Sequence, residues 1–132
     1  MIVLDNSALI EFLVSADSGG EHVRTVITGK RLAAPHAVDL ECASTLRGLV
    51  RGNKLPEPEA RRALDLLARM NLRRYDHTPL LPRIWELRHN MWPYDAAYVA
   101  LAESLRAELI TMDAKLAGVP GIRCDVRVLR AP

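Results

Sequence analysis

The chain begins with a short apolar run, residues 2–4, that ends at Asp5. A run of this kind, with two β-branched residues, indicates a strand buried on both faces, as in a parallel sheet. Ser7 follows and is predicted to cap a helix over residues 8–13. The turn between strand and helix therefore places the Asp5 carboxylate at the carboxyl end of a strand, where open α/β sheets bind their ligands.

Strand-like and helix-like segments alternate along the rest of the 132 residues. Four further strands are predicted, near residues 31–34, 72–75, 109–112 and 126–129, the last of them at a sheet edge. Helices are predicted over residues 21–27, 37–50, 55–70, 79–87, 94–103 and 115–117, and a loop over residues 16–20. This alternation predicts a three-layer α/β/α fold with a central parallel sheet of about five strands, and one domain over residues 1–132.

Composition limits the classes of function. The formal net charge of +2 does not by itself indicate a nucleic-acid partner. The two cysteines, Cys42 and Cys124, lie far apart and outside any CxxC pattern, which favours reduced thiols. The sequence has neither the pattern of a signal peptide nor an apolar stretch long enough to span a bilayer. We therefore expect a cytoplasmic protein with no membrane partner.

Four acidic residues lie in apolar settings, where an unpaired charge is costly. Asp5 and Asp113 each follow a predicted buried strand, so both are expected at the same edge of the sheet. Glu41 lies at the inner edge of the helix predicted over residues 37–50, and Asp95 opens a helix that is apolar nearly all round. Taken singly, these acids could be helix caps or turn residues.

Taken together, the four acids predict a cation site. The adjoining sequence offers no evident lysine or arginine partner for all of them, and clustered carboxylates must share protons or bind a cation. Oxygen ligands suit Mg²⁺ or Mn²⁺, and such an ion activates water for attack on a phosphodiester. Ser7 and Thr111, each two residues from an acid, are candidates for orienting the carboxylates or their waters, with helix capping as the alternative.

Four segments carry a family resemblance: VLDNSALIEFL, LECASTL, YDAAYVALAE and LITMDAKLA. In this order they resemble the signature segments of PIN domains, and more closely those of the VapC toxins of bacterial toxin–antitoxin pairs. The resemblance implies a metal-dependent endoribonuclease toxin that acts on RNA. Its acidic site, which holds Mg²⁺ or Mn²⁺ and is supported by hydroxyls at Ser7 and Thr111, would be Asp5, Glu41, Asp95 and Asp113.

The resemblance also implies partners. It implies a homodimer that is neutralised by a cognate VapB-like antitoxin, whose carboxyl-terminal segment lies near the first helices and the helix over residues 61–70. Two departures from the usual family pattern are Asn6, where threonine is common, and a longer lead into Tyr94. Neither removes a carboxylate.

The candidate RNA contacts are less specific than the acids. Arg88 could reach a bound RNA backbone, and Trp92, in a predicted loop, could stack on a base. Trp85 has helical spacing from Leu81 and is predicted to belong to the core. Five arginines between residues 61 and 74 are predicted mainly to form a solvated helix face, and contact of some of them with RNA phosphates stays open.

Two other functions stay open at this point. A nuclease of the same fold that acts on DNA ends or flaps would use the same acids, although the small size and lack of a clamping extension weigh against it. A receiver-like or other binding module with an acidic pocket would use Asp76 as phosphoacceptor and Lys115 as its partner, but leaves Glu41 and Asp95 unexplained. Zinc and Ser/His/Asp chemistry are not indicated, because the histidines lack ligand spacing.

Overall fold

The computed structural model of the chain describes residues 1–15 and 17–129. Its five strands are β1 (Ile2–Leu4), β2 (Leu32–Pro35), β3 (Leu72–Tyr75), β4 (Glu108–Thr111) and β5 (Val126–Val128). They form one sheet in the order β3-β2-β1-β4-β5, in which every neighbouring pair is parallel. The predicted parallel sheet is therefore confirmed, with β5 at an edge.

Helices cover both faces of this sheet. Within the described residues they are α1 (Asn6–Val14), α2 (Ser18–Ile27), α3 (Val38–Arg51), α4 (Glu57–Arg69), α5 (Leu81–Glu86), α6 (Pro93–Leu105) and α7 (Ala114–Ala117), with a 3₁₀ turn over Thr78–Leu80. α1, α3 and α4 pack on one another, while α6 packs against β1, β2 and β4. The fold has three layers, α/β/α, as predicted. None of the described helices is long and apolar enough to cross a membrane.

The strand order reverses between β1 and β4. From β1 the chain moves outward to β2 and β3, and it later returns to the other side of β1 to form β4 and β5. Ile2 lies opposite Glu108 and Leu4 opposite Ile110, so the two strands end side by side. The N–H of Asp5 donates to the Ile110 carbonyl at 3.1 Å. Doubly wound sheets bind ligands in the crevice at such a reversal.

The two strands that form this crevice are almost completely buried. Val3, Leu4, Leu109 and Ile110 have no solvent exposure, and α6 contributes small buried residues, among them Ala100, that let it approach the sheet closely. Close packing on both faces leaves the ends of β1 and β4 little freedom to move. The residues that follow them are therefore held on a rigid frame.

Two helix starts differ from the predictions because aspartates cap them. Ser7 is predicted to cap the first helix, but α1 begins two residues earlier than predicted, at Asn6, and Asp5 is its cap, accepting from the N–H of Ala8 at 3.0 Å. Gly19 and Gly20, predicted in a loop, lie in the first turn of α2. They are helical because the Asp17 carboxylate accepts from both of their N–H groups. Ala16, from the same predicted loop, lies outside the described residues.

The prediction that Trp85 belongs to the core is wrong. Trp85 is 67% exposed, and the Arg88 guanidinium lies over its ring, 4.6 Å from the centroid. The buried stripe of this region is Leu80, Ile84 and Leu87, one position away from the predicted stripe. Because several neighbouring positions here are apolar, periodicity alone does not decide which stripe faces the sheet.

The arginines between residues 61 and 74 mostly have partners within the chain. Three form exposed ion pairs along α4: Arg61 with Glu57, Arg62 with Glu59 and Arg69 with Asp65. Arg74 donates two hydrogen bonds of 2.7 Å to Asp39 and so links β3 to α3. Arg73 lies over the ring of Tyr75. The α4 face agrees with the predicted solvated helix, and contact with RNA phosphates stays a prediction.

Leu109→Ala tests the buried strand pair. Leu109 is fully buried in β4 between β1 and β5, so its truncation should lower the free energy of unfolding by about 2–5 kcal/mol. Urea denaturation followed by circular dichroism measures this change. Leu40→Ala, at a strongly exposed position of α3, is the matched control and should change the value by less than about 0.5 kcal/mol. Equal losses in the two variants would contradict the proposed core.

Candidate functional site

Asp5 is buried at the carboxyl end of β1 and is held by donors from two elements. Its Oδ1 accepts hydrogen bonds from Ser7 Oγ at 2.7 Å and from the N–H of Ala8 at 3.0 Å. Its Oδ2 accepts from Thr111 Oγ1, in β4, at 2.5 Å. Both carboxylate oxygens therefore have fixed directions, set by the start of α1 and the end of β4.

The two hydroxyls beside Asp5 are arranged to donate to it. Ser7 Oγ accepts from the N–H of Met112 at 2.9 Å, and Thr111 Oγ1 accepts from the N–H of Asp113 at 3.0 Å. Each hydroxyl has one proton and directs it to Asp5, so the 3.2 Å between the two hydroxyl oxygens is a close approach rather than a further hydrogen bond. This donor pattern suits an ionised carboxylate.

Glu41 belongs to α3 and is held by a hydrogen bond from α6, which packs on the other face of the sheet. It lies half-buried in the first turn of α3, and its Oε1 accepts a hydrogen bond of 2.7 Å from the hydroxyl of Tyr98 in α6. Tyr98 is only 2% exposed, so its ring is fixed by packing. From the sequence, Tyr98 is predicted only to be a core residue. Its i, i+3 spacing from Asp95, which puts both on one face of α6, is the signal that points to a role at the site.

Asp95 and Asp113 lie at more exposed positions of the same region. Asp95 is in the first turn of α6, and Asp113 caps α7, with its Oδ1 accepting from the N–H of Lys115 at 3.0 Å. The capping interpretation left open for Asp113 is thus present in the structure. Among the ion pairs of the described residues, none involves Asp5, Glu41, Asp95 or Asp113.

Burial and mutual repulsion raise the pKa values of three of these acids. Burial is the largest cause for Asp5, Glu41 and Asp95 alike. Asp95 and Asp5 raise the pKa of Glu41 further, and Asp5 and Asp113 do the same for Asp95. The hydrogen bonds to Asp5 and the bond from Tyr98 to Glu41 oppose these shifts only in part. The structure therefore brings the four acids close enough for their charges to interact.

The donor set of this region suits a hard divalent cation. Carboxylates offer only oxygen, which Mg²⁺ and Mn²⁺ prefer. Asn6, beside Asp5, donates from Nδ2 to Thr45 Oγ1 at 3.0 Å, while its Oδ1 is buried without a hydrogen-bond partner in the described part of the chain. An unpaired buried acceptor calls for an explanation, and a cation or a water ligand of that cation supplies one.

The acids converge without touching. No three His, Cys, Asp or Glu side chains of residues 1–15 and 17–129 form a group that could already hold a metal ion. A cation in this region would therefore have to draw the carboxylates inward from the positions seen here.

The two predicted RNA contacts lie in different settings. Trp92 is exposed, as predicted, and lines an open cavity of about 550 Å³ between α3 and the start of α6. Glu41 and Asp95 line the same cavity. Arg88 is not a lining residue, because its guanidinium lies over the ring of Trp85 on α5. The structure thus brings Trp92, but not Arg88, to the acids.

The acid that a receiver-like pocket would need lies elsewhere. Asp76 follows β3, which is an edge strand two places from β1, and its Oδ1 accepts from the N–H of Thr78 at 2.9 Å. Lys115 is in α7, after β4 on the other side of β1. A phosphoacceptor after a central strand is therefore not formed by Asp76, and the receiver-like interpretation loses its main support.

Asp5→Asn should change how stability depends on pH. Because the pKa of folded Asp5 is raised above the ordinary 3.8, the stability it contributes is complete below that value and is lost as pH rises through the raised pKa. Asparagine does not titrate, so the free energy of unfolding of the variant should increase relative to that of the wild type as pH rises from about 3 through the raised pKa of Asp5. Urea denaturation at several pH values measures this difference.

Asp76→Asn is the control of opposite sign. The N–H of Thr78 lowers the pKa of Asp76. The free energy of unfolding of this variant should therefore decrease relative to that of the wild type as pH rises through the acid range. A difference between Asp5→Asn and the wild type that stays constant with pH would show that burial does not raise the pKa of Asp5.

Comparison with known proteins agrees with this geometry. Residues 2–122 match the PIN domain family model. The chain is 40% identical over 129 residues to Ribonuclease VapC9 of Mycobacterium tuberculosis, covering 98% of each chain, and 37% identical over 129 residues to Ribonuclease VapC1 of the same organism, covering 97% of each.

A solved structure shares the fold. The VapBC2 structure from Rickettsia felis, bound to a DNA fragment from its promoter, matches with a TM-score of 0.69 and 15% identity over 98% of this chain and 100% of that one. At this identity the likeness concerns the fold alone, whereas the two mycobacterial relatives are similar over nearly their full length. The chain belongs to the VapC ribonuclease family of PIN-domain proteins.

Proposed function

We propose that this chain is the toxin of a type II toxin–antitoxin pair and an endoribonuclease that uses Mg²⁺ or Mn²⁺. The observation that carries the proposal is the convergence of four acids, free of ion-pair partners in the described structure, on the strand-order reversal of the sheet. A divalent cation there would offset burial and repulsion together. The full-length similarity to proteins named ribonucleases supports the activity.

The four acids have different parts in this proposal. Asp5 is the fixed ligand, because Ser7 and Thr111 set the direction of both its oxygens. Glu41 is the second anchored ligand, with Tyr98 holding one oxygen and leaving the other free to bind. The more exposed pair, Asp95 and Asp113, closes the site around the cation.

The reaction would be hydrolysis of an RNA phosphodiester. When bound, the cation supplies a Lewis acid that stabilises charge on the phosphoryl group and activates water. Water adds at phosphorus, one P–O bond breaks, and the leaving oxygen takes a proton. The chain itself holds the carboxylates in position. Burial and mutual repulsion raise the pKa values of Glu41 and Asp95, and a bound cation would offset both effects.

Partners follow from the same proposal. We expect a VapB-like antitoxin that binds near α1, α2 and α4, and a homodimer as the assembly of the toxin. A solved toxin–antitoxin complex from Klebsiella pneumoniae contains a chain of similar fold, which supports such a partner. We propose that residues 1–132 act as one PIN domain. The expected cytoplasmic location stays a prediction that agrees with Cys42 and Cys124 being free thiols.

Glu41→Gln tests the metal site without removing the shape of the side chain. It should lower Mn²⁺-dependent cleavage of a labelled RNA by roughly a thousandfold, which equals about 4 kcal/mol of lost stabilisation. Gel assays with the same strand as RNA and as DNA measure activity and substrate class together. Asp65→Asn, on the exposed face of α4, is the matched control and should cleave like the wild type.

Three outcomes would count against this function. Full activity of the wild type in EDTA would rule out the cation. Equal cleavage of DNA and RNA would rule out a dedicated ribonuclease. A loss of activity in Asp65→Asn as large as that in Glu41→Gln would show that the four acids have no special part.

A further inference from the structure

The cavity beside the acids is surrounded by exposed apolar side chains that have no role in hydrolysis itself. Three large apolar side chains surround it, Leu40 from α3 with Trp92 and Tyr94 from the start of α6, and they are 78%, 77% and 62% exposed. Large apolar groups exposed together mark a binding surface more often than single ones do. Two of the three are aromatic rings, which offer flat faces for stacking.

The charges around this cavity restrict what enters it. Among the described residues that line it there is no lysine or arginine, while Glu41 and Asp95 form part of its wall. A phosphate inside the cavity would face these carboxylates with no basic side chain to balance it. Away from the cation that the proposed function places beside Glu41 and Asp95, the cavity therefore favours a part of the ligand that carries no negative charge. Ser44 and Thr45 add hydroxyls that can bond to its polar edge.

We propose that this cavity takes one unpaired nucleobase of the RNA, stacked on Trp92, beside the phosphodiester that is cleaved. This inference rests on the proposed ribonuclease function. A base is flat and uncharged, with apolar faces and hydrogen-bonding edges, and aromatic side chains commonly bind unpaired bases in this way. Because the cavity shares Glu41 and Asp95 with the acidic site, the base next to the cleaved bond is the part of the RNA within reach.

The proposal defines a substrate class. A base paired within a duplex cannot enter a side pocket without leaving the helix, so the favoured RNA is single-stranded or looped at the cleaved bond. Stacking is tolerant of base identity, because every base has a flat face. Any preference among bases would therefore come from the edge that meets Ser44 and Thr45.

The two tryptophans of the chain give a matched pair of reporters. Trp85 is exposed almost as much as Trp92, but it lies on α5 outside the lining of the cavity. Trp85→Phe leaves Trp92 as the only tryptophan, and Trp92→Phe leaves Trp85. An unstructured 12-nucleotide RNA, added with Ca²⁺ and checked on a gel for integrity, should quench the fluorescence of the first variant and leave the second unchanged.

Alanine variants measure the effect on affinity. Trp92→Ala should weaken binding of the labelled single strand by about tenfold or more, the size expected for loss of one stacked base. Trp85→Ala should bind within about twofold of the wild type. Binding of the same sequence as a duplex should be weak and equal in all three proteins. Equal affinity of Trp92→Ala and wild type for the single strand, or quenching of Trp85 alone, would overturn the proposal.

Other occupants of the cavity give different results. If a peptide of alternating arginine and leucine quenches Trp92 and RNA does not, the cavity is a peptide groove and the proposal is wrong. If Trp92→Ala changes only the sedimentation of the protein with concentration, the cavity is an interface between copies, and the proposal is again wrong.

Failure of the base site and failure of the nuclease are separable. If the wild type cleaves RNA in Mn²⁺ and Trp92→Ala binds the single strand normally, only the proposed base site is wrong. If the wild type shows no cleavage, but the single strand quenches Trp92 and the duplex does not, the base site is supported and the proposed activity is wrong.

Discussion

The hydrogen bonds that Ser7 and Thr111 donate to Asp5 join the two halves of the sheet where its strand order reverses. They surround a buried charge with protein donors in place of water, which is the condition for keeping a carboxylate ionised there. Burial first, and then repulsion from neighbouring acids that include Asp5, raises the pKa values of Glu41 and Asp95. The site thus carries a cost in stability, which the divalent cation of the proposed function would offset.

The ends of the strands were predictable from sequence because a short, mainly apolar run that stops at an acid predicts a buried strand that ends there. Asp5 and Asp113 follow such runs, and the parallel sheet brings both to one edge. The identity of the first helix cap was harder to predict, since Asp5 and Ser7 are both good caps and only the turn geometry decides that Asp5 accepts from the helix. The misplaced Trp85 has a similar cause, because two neighbouring apolar stripes of α5 compete and the sheet selects one.

Contacts between the two helix layers could not be predicted from local patterns. The bond from Tyr98 to Glu41 joins residues 57 positions apart, and the cavity beside it forms only where α3 meets the start of α6 above the sheet. Composition does not show the uneven distribution of charge either, because the overall charge is nearly balanced. In the structure, basic side chains form ion pairs on α4, whereas the acids lie at the crevice. Local sequence therefore indicates the candidate acids, and tertiary structure shows what holds and surrounds them.

Diffraction from crystals grown with Mn²⁺ and measured at the manganese absorption edge tests the central claim most directly. Our account predicts an anomalous peak among Asp5, Glu41, Asp95 and Asp113, at the ends of β1 and β4, and no such peak in crystals of Asp5→Asn. A protein that cleaves RNA in Mn²⁺ while its manganese binds elsewhere, or whose peak survives the loss of Asp5, would contradict the account.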